Sequence, residues 1–183
     1  MARAQGCCLL AHRPPDLLEQ LAHDEQPHVR RAVADNPSTP TSVLEEMGAS
    51  QDSDLVYGVA RNPSTPGHVL DALVDHQCPQ PTLVSALANP NCPSAALARA
   101  AQFSNSPAIV SGVGMHPSTP PQVLTQLATH ANGWVRKLVA GNASCPSDAL
   151  VALAQDPNGE VARAARGNPS FPEEYLHLLR ATQ

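Results

Sequence analysis

The sequence predicts an all-α solenoid of about seven 26-residue units, each an α-helix followed by a shorter helical segment. Three observations predict it. The pentapeptide Asn-Pro-Ser-Thr-Pro at 36–40 returns unchanged at 62–66 and in altered form at 89–93, 116–120, 142–146 and 168–172. The steps are 26, 27, 27, 26 and 26 residues, a period that marks stacked supersecondary units, each unable to bury its own apolar face. Apolar residues flank every pentapeptide at helical spacing, and no stretch alternates with the period of two that a strand needs.

The segment after the second proline is the A segment. Val43, Leu44 and Met47 follow Pro40, and the same offsets carry Leu17, Leu18 and Leu21 in the first unit. They recur as Val69, Leu70 and Leu73; Ala96, Leu97 and Ala100; Val123, Leu124 and Leu127; Ala149, Leu150 and Leu153; and Tyr175, Leu176 and Leu179. Spacing of i, i+1, i+4 is one stripe of a helix about nine residues long. The middle position is leucine in all seven. Ser38, Ser64, Asn91, Ser118, Ser144 and Ser170, two residues before the second proline, are expected N-caps. The proline is expected in the first turn, and Ser170 with Glu173 forms a capping-box pattern. His12 stands at the cap of a degenerate first unit.

The segment before the asparagine is the B segment. Val29, Ala32, Val33 and Ala34 align with Leu55, Gly58, Val59 and Ala60, and with Ile109, Gly112, Val113 and Gly114. They align again with Val135, Leu138, Val139 and Ala140, and with Val161, Ala164 and Ala165. The segment is about seven residues, short enough for α or 3₁₀ geometry. Proline disfavours α geometry in the residue before it, so Asn36 and its equivalents end the segment. Small residues at the fourth position (Ala32, Gly58, Ser85, Gly112, Ala164) predict close backbone approach. Residues 3–10 fall in B register as an eroded copy. The organisation is therefore one repeat domain over 1–183, with a part-repeat at 1–9 and repeats over 10–182.

Aromatics make up 3% and charged residues 15% of the 183 residues, so the core is built of small side chains. The net charge of −5 disfavours nonspecific DNA binding through bulk charge. No run approaches the ~18 apolar residues of a membrane helix. The N-terminus lacks the apolar run of a secretory signal, and the five cysteines are scattered, which suits a reducing compartment. The expected location is the cytoplasm.

The repeat resembles the leucine-rich repeat variant family. VRRAVADNPSTPTSVLEEM at 29–47 and VRKLVAGNASCPSDALVAL at 135–153 fit that family's unit closely, and the resemblance spans about 10–180. It implies an α-helix alternating with a 3₁₀-helix in a right-handed superhelix without sheet. Some family members carry a four-iron cluster on an N-terminal cysteine domain. Only Cys7 and Cys8 precede the repeats here, so no cofactor and no metal are expected.

Seven of eleven cations lie in B segments: Arg30, Arg31, Arg61, Arg136, Lys137, Arg163 and Arg166. Of sixteen acids only Asp35 does; the others sit on A helices or in A–B turns. Like segments stack in a solenoid, so the B segments form a basic wall with an uncharged stretch in the middle units. Such cations either bind an acidic partner or pair with turn acids of their own layers. Cys92 and Cys145 stand where Thr39, Thr65 and Thr119 stand in other turns, which makes them small turn residues rather than ligands. Cys7 and Cys8 match apolar B positions. The eight histidines form no strict column, and His116 replaces the turn asparagine. No phosphate loop, nucleophile–base order or inward carboxylate pair departs from the repeat. The departures are Trp134, Tyr57, Phe103 and 102–107. Trp134, just before a B segment, is either a local core cap or an exposed anchor of the kind enriched in binding hot spots.

Stacking makes surface rather than a closed pocket. The expected function is a non-enzymatic scaffold that binds a macromolecule, first a protein with an acidic surface and alternatively nucleic acid. The candidate partner-binding residues are Arg30, Arg31, Arg61, Trp134, Arg136, Lys137, Arg163 and Arg166.

Overall fold

Two α-helices per repeat, joined by tight proline turns, build the fold. The computed structural model describes residues 15–75, 77–103 and 106–175. The A segments are α1 (Pro15–Ala22), α3 (Thr41–Gly48), α5 (Gly67–Leu73), α7 (Ser94–Phe103), α9 (Pro121–Leu127) and α11 (Ser147–Leu153). The B segments are α2 (Pro27–Ala34), α4 (Ser53–Arg61), α6 (Gln80–Ala88), α8 (Pro107–Met115), α10 (Gly133–Gly141) and α12 (Gly159–Arg166). No strand occurs among the described residues. The B segments are α-helices of eight or nine residues, longer than their apolar stripe suggests. Their 3₁₀ character lies in i→i−3 bonds at the helix ends, as from Val29 N to Gln26 O and from Val161 N to Asn158 O at the start, and from Asn36 N to Val33 O and Asn142 N to Val139 O at the close.

The chain divides into two compact units, Met1–Ala96 and Leu97–Gln183. In the first, α2 packs on α4 and α4 on α6, while α1 packs on α3 and α3 on α5. In the second, α8 packs on α10 and α10 on α12, with α9 and α11 set against them. The leucine column is the spine of this packing. Leu18, Leu44, Leu70, Leu97, Leu124 and Leu150 are each 0% exposed, each burial stabilising by about 1.5–3 kcal/mol; Leu176 lies outside the described residues. Small side chains let helices approach. A Cβ on Gly58 would stand 2.9 Å from the Ala34 Cβ, which is why this position is small.

The turn asparagines, expected only to end a helix, do more. Asn62 Nδ2 donates to the carbonyls of Ala34 and Asn36 in the preceding layer, both at 2.7 Å. Its Oδ1 accepts from Ser64 N at 2.9 Å. Asn89 repeats the pattern on Ala60 and Asn62. In the second unit Asn142 does so on Gly114 and His116, and Asn168 on Ala140 and Asn142. This is a buried hydrogen-bond ladder running layer to layer inside each unit, every rung satisfying backbone groups that burial would otherwise leave costly. His116 takes the asparagine's place in the turn: its Nδ1 accepts from Ser118 N at 3.1 Å and its carbonyl serves Asn142.

The serines are not N-caps. Pro40, Pro66, Pro120 and Pro146 occupy the N-cap positions themselves. The serine hydroxyls instead reach back one layer, from Ser64 to Pro37 O, from Ser144 to Pro117 O and from Ser170 to Ala143 O. A side chain that can satisfy a neighbouring carbonyl is not needed where proline already presets the first turn. The side-chain caps lie on B helices: Asp52 accepts from Asp54 N, Asn132 from Trp134 N and Asn158 from Glu160 N.

Candidate macromolecule-binding surface

Each B helix exposes one face once its apolar stripe is buried against its neighbours. The second unit carries Trp134, Arg136 and Lys137 on α10, and Arg163 and Arg166 on α12 packed beside it. The first carries Arg30 and Arg31 on α2 and Arg61 on α4, likewise packed together. The eight residues thus form two groups, one in each unit.

Most of these cations are occupied within the protein. Arg31 pairs with Asp54 at 3.6 Å and Lys137 with Glu160 at 2.7 Å, in the same register: a cation five residues before its turn asparagine meets an acid eight residues before the next one. Both pairs are solvated and worth little. Arg136 is more deeply held. Its Nε and Nη2 fork onto the Asp156 carboxylate at 2.6 and 3.0 Å, and its Nη1 donates to the carbonyls of His130 and Ala131. The Arg136 side chain is 17% and that of Asp156 6% exposed. The guanidinium hydrogen bond holds the Asp156 carboxyl below its ordinary range, as a forked pair should. Lys137 does the same to Glu160, mainly through its hydrogen bond. Arg30 repeats the carbonyl half of this arrangement, on Asp24 and Glu25. Arg166 donates to Ala154 O, and Arg61 lies 5.5 Å over the Tyr57 ring. Of the two explanations for the basic wall, these contacts favour pairing with turn acids, which belong to the next layer rather than to the cation's own.

Trp134 is different. It sits inside α10, one residue after the helix start, and is 56% exposed. Lys137 lies 5.4 Å over its ring, a cation–π contact that fixes the indole on the surface. It therefore does not cap a core. Met115, 62% exposed at the end of α8, is the other large apolar side chain laid open on the B helices of this unit.

The cysteines of the turns are buried as expected of threonine replacements. Burial pushes the Cys145 thiol up to about 11, well away from a reactive thiolate. Where threonine stands, its hydroxyl donates to a carbonyl six residues earlier, as from Thr39 to Val33 O and from Thr119 to Val113 O, both at 2.6 Å. Cys7 and Cys8 lie outside the described residues. Among the described residues no three His, Cys, Asp or Glu side chains are grouped to hold a metal ion, and no helix is long and apolar enough to cross a membrane.

A chain of stacked helix pairs with a turn asparagine ladder is a helical repeat scaffold. Residues 133–158, one full period, match the family described as leucine rich repeat variant. A solved structure described as a leucine-rich repeat variant with a novel repetitive structural motif superposes with a TM-score of 0.60 at 21% identity, over 88% of this chain and 64% of that one. The chain thus spans less than two thirds of that structure's length. The Escherichia coli protein YibA superposes with a TM-score of 0.51 at 15% identity, over 87% of this chain and 71% of its own. No curated protein matches the sequence. One repeat thus matches that family's unit, and the chain as a whole shares the helical repeat fold of the leucine-rich repeat variant structure.

Proposed function

We propose that this protein is a non-enzymatic scaffold that binds another protein on the B-helix face of its second unit. Trp134 carries the proposal: a large aromatic side chain held open on a rigid helix, with a lysine stacked on it. Tryptophan is enriched in binding hot spots, and its rigid ring gives large contact area for little ordering cost. Arg163 and Arg166 on the neighbouring α12 add positive charge to the same unit, which suits a partner with an acidic rim.

The intramolecular pairing of Arg31, Arg136 and Lys137 weighs against nucleic acid. Phosphate binding draws its affinity from cations that release counterions, and a cation already forked to aspartate has less to offer.

The experiment is affinity capture from the native cell extract with wild-type protein, Trp134→Ala and Trp134→Phe. We expect a protein retained by the wild type, lost with the alanine variant and partly recovered with phenylalanine. Equal retention by all three would remove Trp134 from the binding surface.

A further inference from the structure

The two units place the same arginine in the same turn with different completions. Arg30 lies six residues before Asn36, and Arg136 six before Asn142. Each Nη1 donates to two carbonyls of its own A–B turn, at 2.8 and 3.1 Å in both cases. The next layer then differs. Twelve residues before Asn168 stands Asp156; twelve before Asn62 stands Ser50. The local turn is the same, since Asn158 N donates to the Asp156 side chain and Asp52 N to the Ser50 hydroxyl. In the second unit the Asp156 carboxylate closes the fork on Nε and Nη2. In the first unit Ser50 is too short to do so. Arg30 makes only an ion pair at 3.7 Å from Nη2 to Asp52, a distance beyond hydrogen bonding. An open cleft of about 360 Å³ remains there, bordered by Arg30, Ser50, His23, Met47 and Leu55.

We infer that this cleft is a carboxylate-binding site, in which an aspartate or glutamate side chain of a bound protein takes the place on Arg30 that Asp156 takes on Arg136. The protein's own second unit supplies the template for the geometry. A guanidinium whose third nitrogen is pinned by two carbonyls is preorganised, so little ordering is lost when a planar carboxylate docks on the remaining two. Asp24, Glu25, Glu46 and Asp52 also lie around the arginine. Two of them are engaged, Asp24 with Gln26 N and Glu46 with His23. Their charge opposes the binding of a single carboxylate and makes the site dependent on the rest of a partner for tight binding. The site is separate from Trp134.

The test is an NMR titration of the whole chain that follows the Nε–H signals of Arg30 and Arg136. The probes are the blocked peptide acetyl-Gly-Asp-Gly-amide, its Asn counterpart and sodium acetate at equal concentration. The Asp peptide should move the Arg30 signal toward the position of Arg136, with the Asn peptide inert and acetate weaker. Ser50→Asp should place the Arg30 signal there without ligand and abolish the response; Ser50→Ala, which cannot fork, should keep it. The inference is overturned by an Arg30 signal that ignores the Asp peptide, by an equal response to the Asn peptide, or by a response that survives in Ser50→Asp. An acetate response equal to the peptide's would overturn the protein origin of the carboxylate. Trp134→Ala should leave the titration unchanged, so failure here and failure of the Trp134 surface read out separately.

Discussion

At the scale of single residues, the contrast between Arg136 and the exposed pairs shows what burial does to an ion pair. Arg31–Asp54 and Lys137–Glu160 are solvated, whereas Asp156 is 6% exposed and accepts two guanidinium bonds. Asp156→Asn should therefore destabilise the protein at neutral pH by about 1.5–3 kcal/mol, the usual worth of hydrogen bonds to a charged group. The sign with pH follows from linkage. The carboxyl is held below its ordinary value in the folded protein, so its contribution is full above the unfolded value and is lost as pH falls through the folded one. Denaturant unfolding of wild type and variant should differ most near neutrality and converge in acid; a difference independent of pH would show that the pair contributes no linkage. The residue types at these sites were legible in the sequence, as were their places on B segments. Which cation is tied was not, because the acid that ties it lies one repeat away and the register between layers is a tertiary fact. Trp134 was legible as a departure from the repeat. Its exposure was not, since the same position holds Asp54 and Glu160 elsewhere and an aromatic there reads equally as a core cap.

At the scale of the element, the turn asparagine does the most unexpected work. Pre-proline sterics explain why a helix ends there, but any residue would satisfy that rule. The side chain is asparagine because one group must donate to two carbonyls of the preceding layer and accept from the turn's own N–H. Asn62→Ala should cost about 2–4 kcal/mol by leaving buried carbonyls without donors. Asn62→Asp keeps the acceptor but sets a carboxylate against two carbonyls, so it should cost more than alanine at neutral pH. Thermal unfolding of both variants checks the order, and aspartate as the milder change would contradict the ladder. Helix positions and the leucine column were readable from periodicity alone. The serine caps were misassigned because Ser before Pro satisfies a local rule, whereas its hydroxyl answers to a carbonyl 27 residues back. The B-helix caps went unseen because their column, ten residues before the turn asparagine, mixes Asp52, Asn132 and Asn158 with Gln26 and Pro79, so no repeated residue type marks it.

At the scale of the whole molecule, charge is distributed unevenly between the two units. The first holds eleven of the sixteen acids and five of the eleven cations, the second five acids and six cations. The first unit is thus strongly acidic and the second close to neutral, a distribution that suits the acidic-rimmed partner proposed for the second. The central claim is that binding there rests on an aromatic anchor while most of the basic residues hold the layers together. The most direct measurement is the affinity of the captured partner as a function of salt, by titration calorimetry with wild-type protein. The account predicts a shallow dependence, with a loss well under the ~10³-fold that several phosphate contacts cost between low and physiological salt. A steep linear fall of log affinity with log salt, together with capture that disappears on nuclease treatment, would contradict it and assign the surface to nucleic acid.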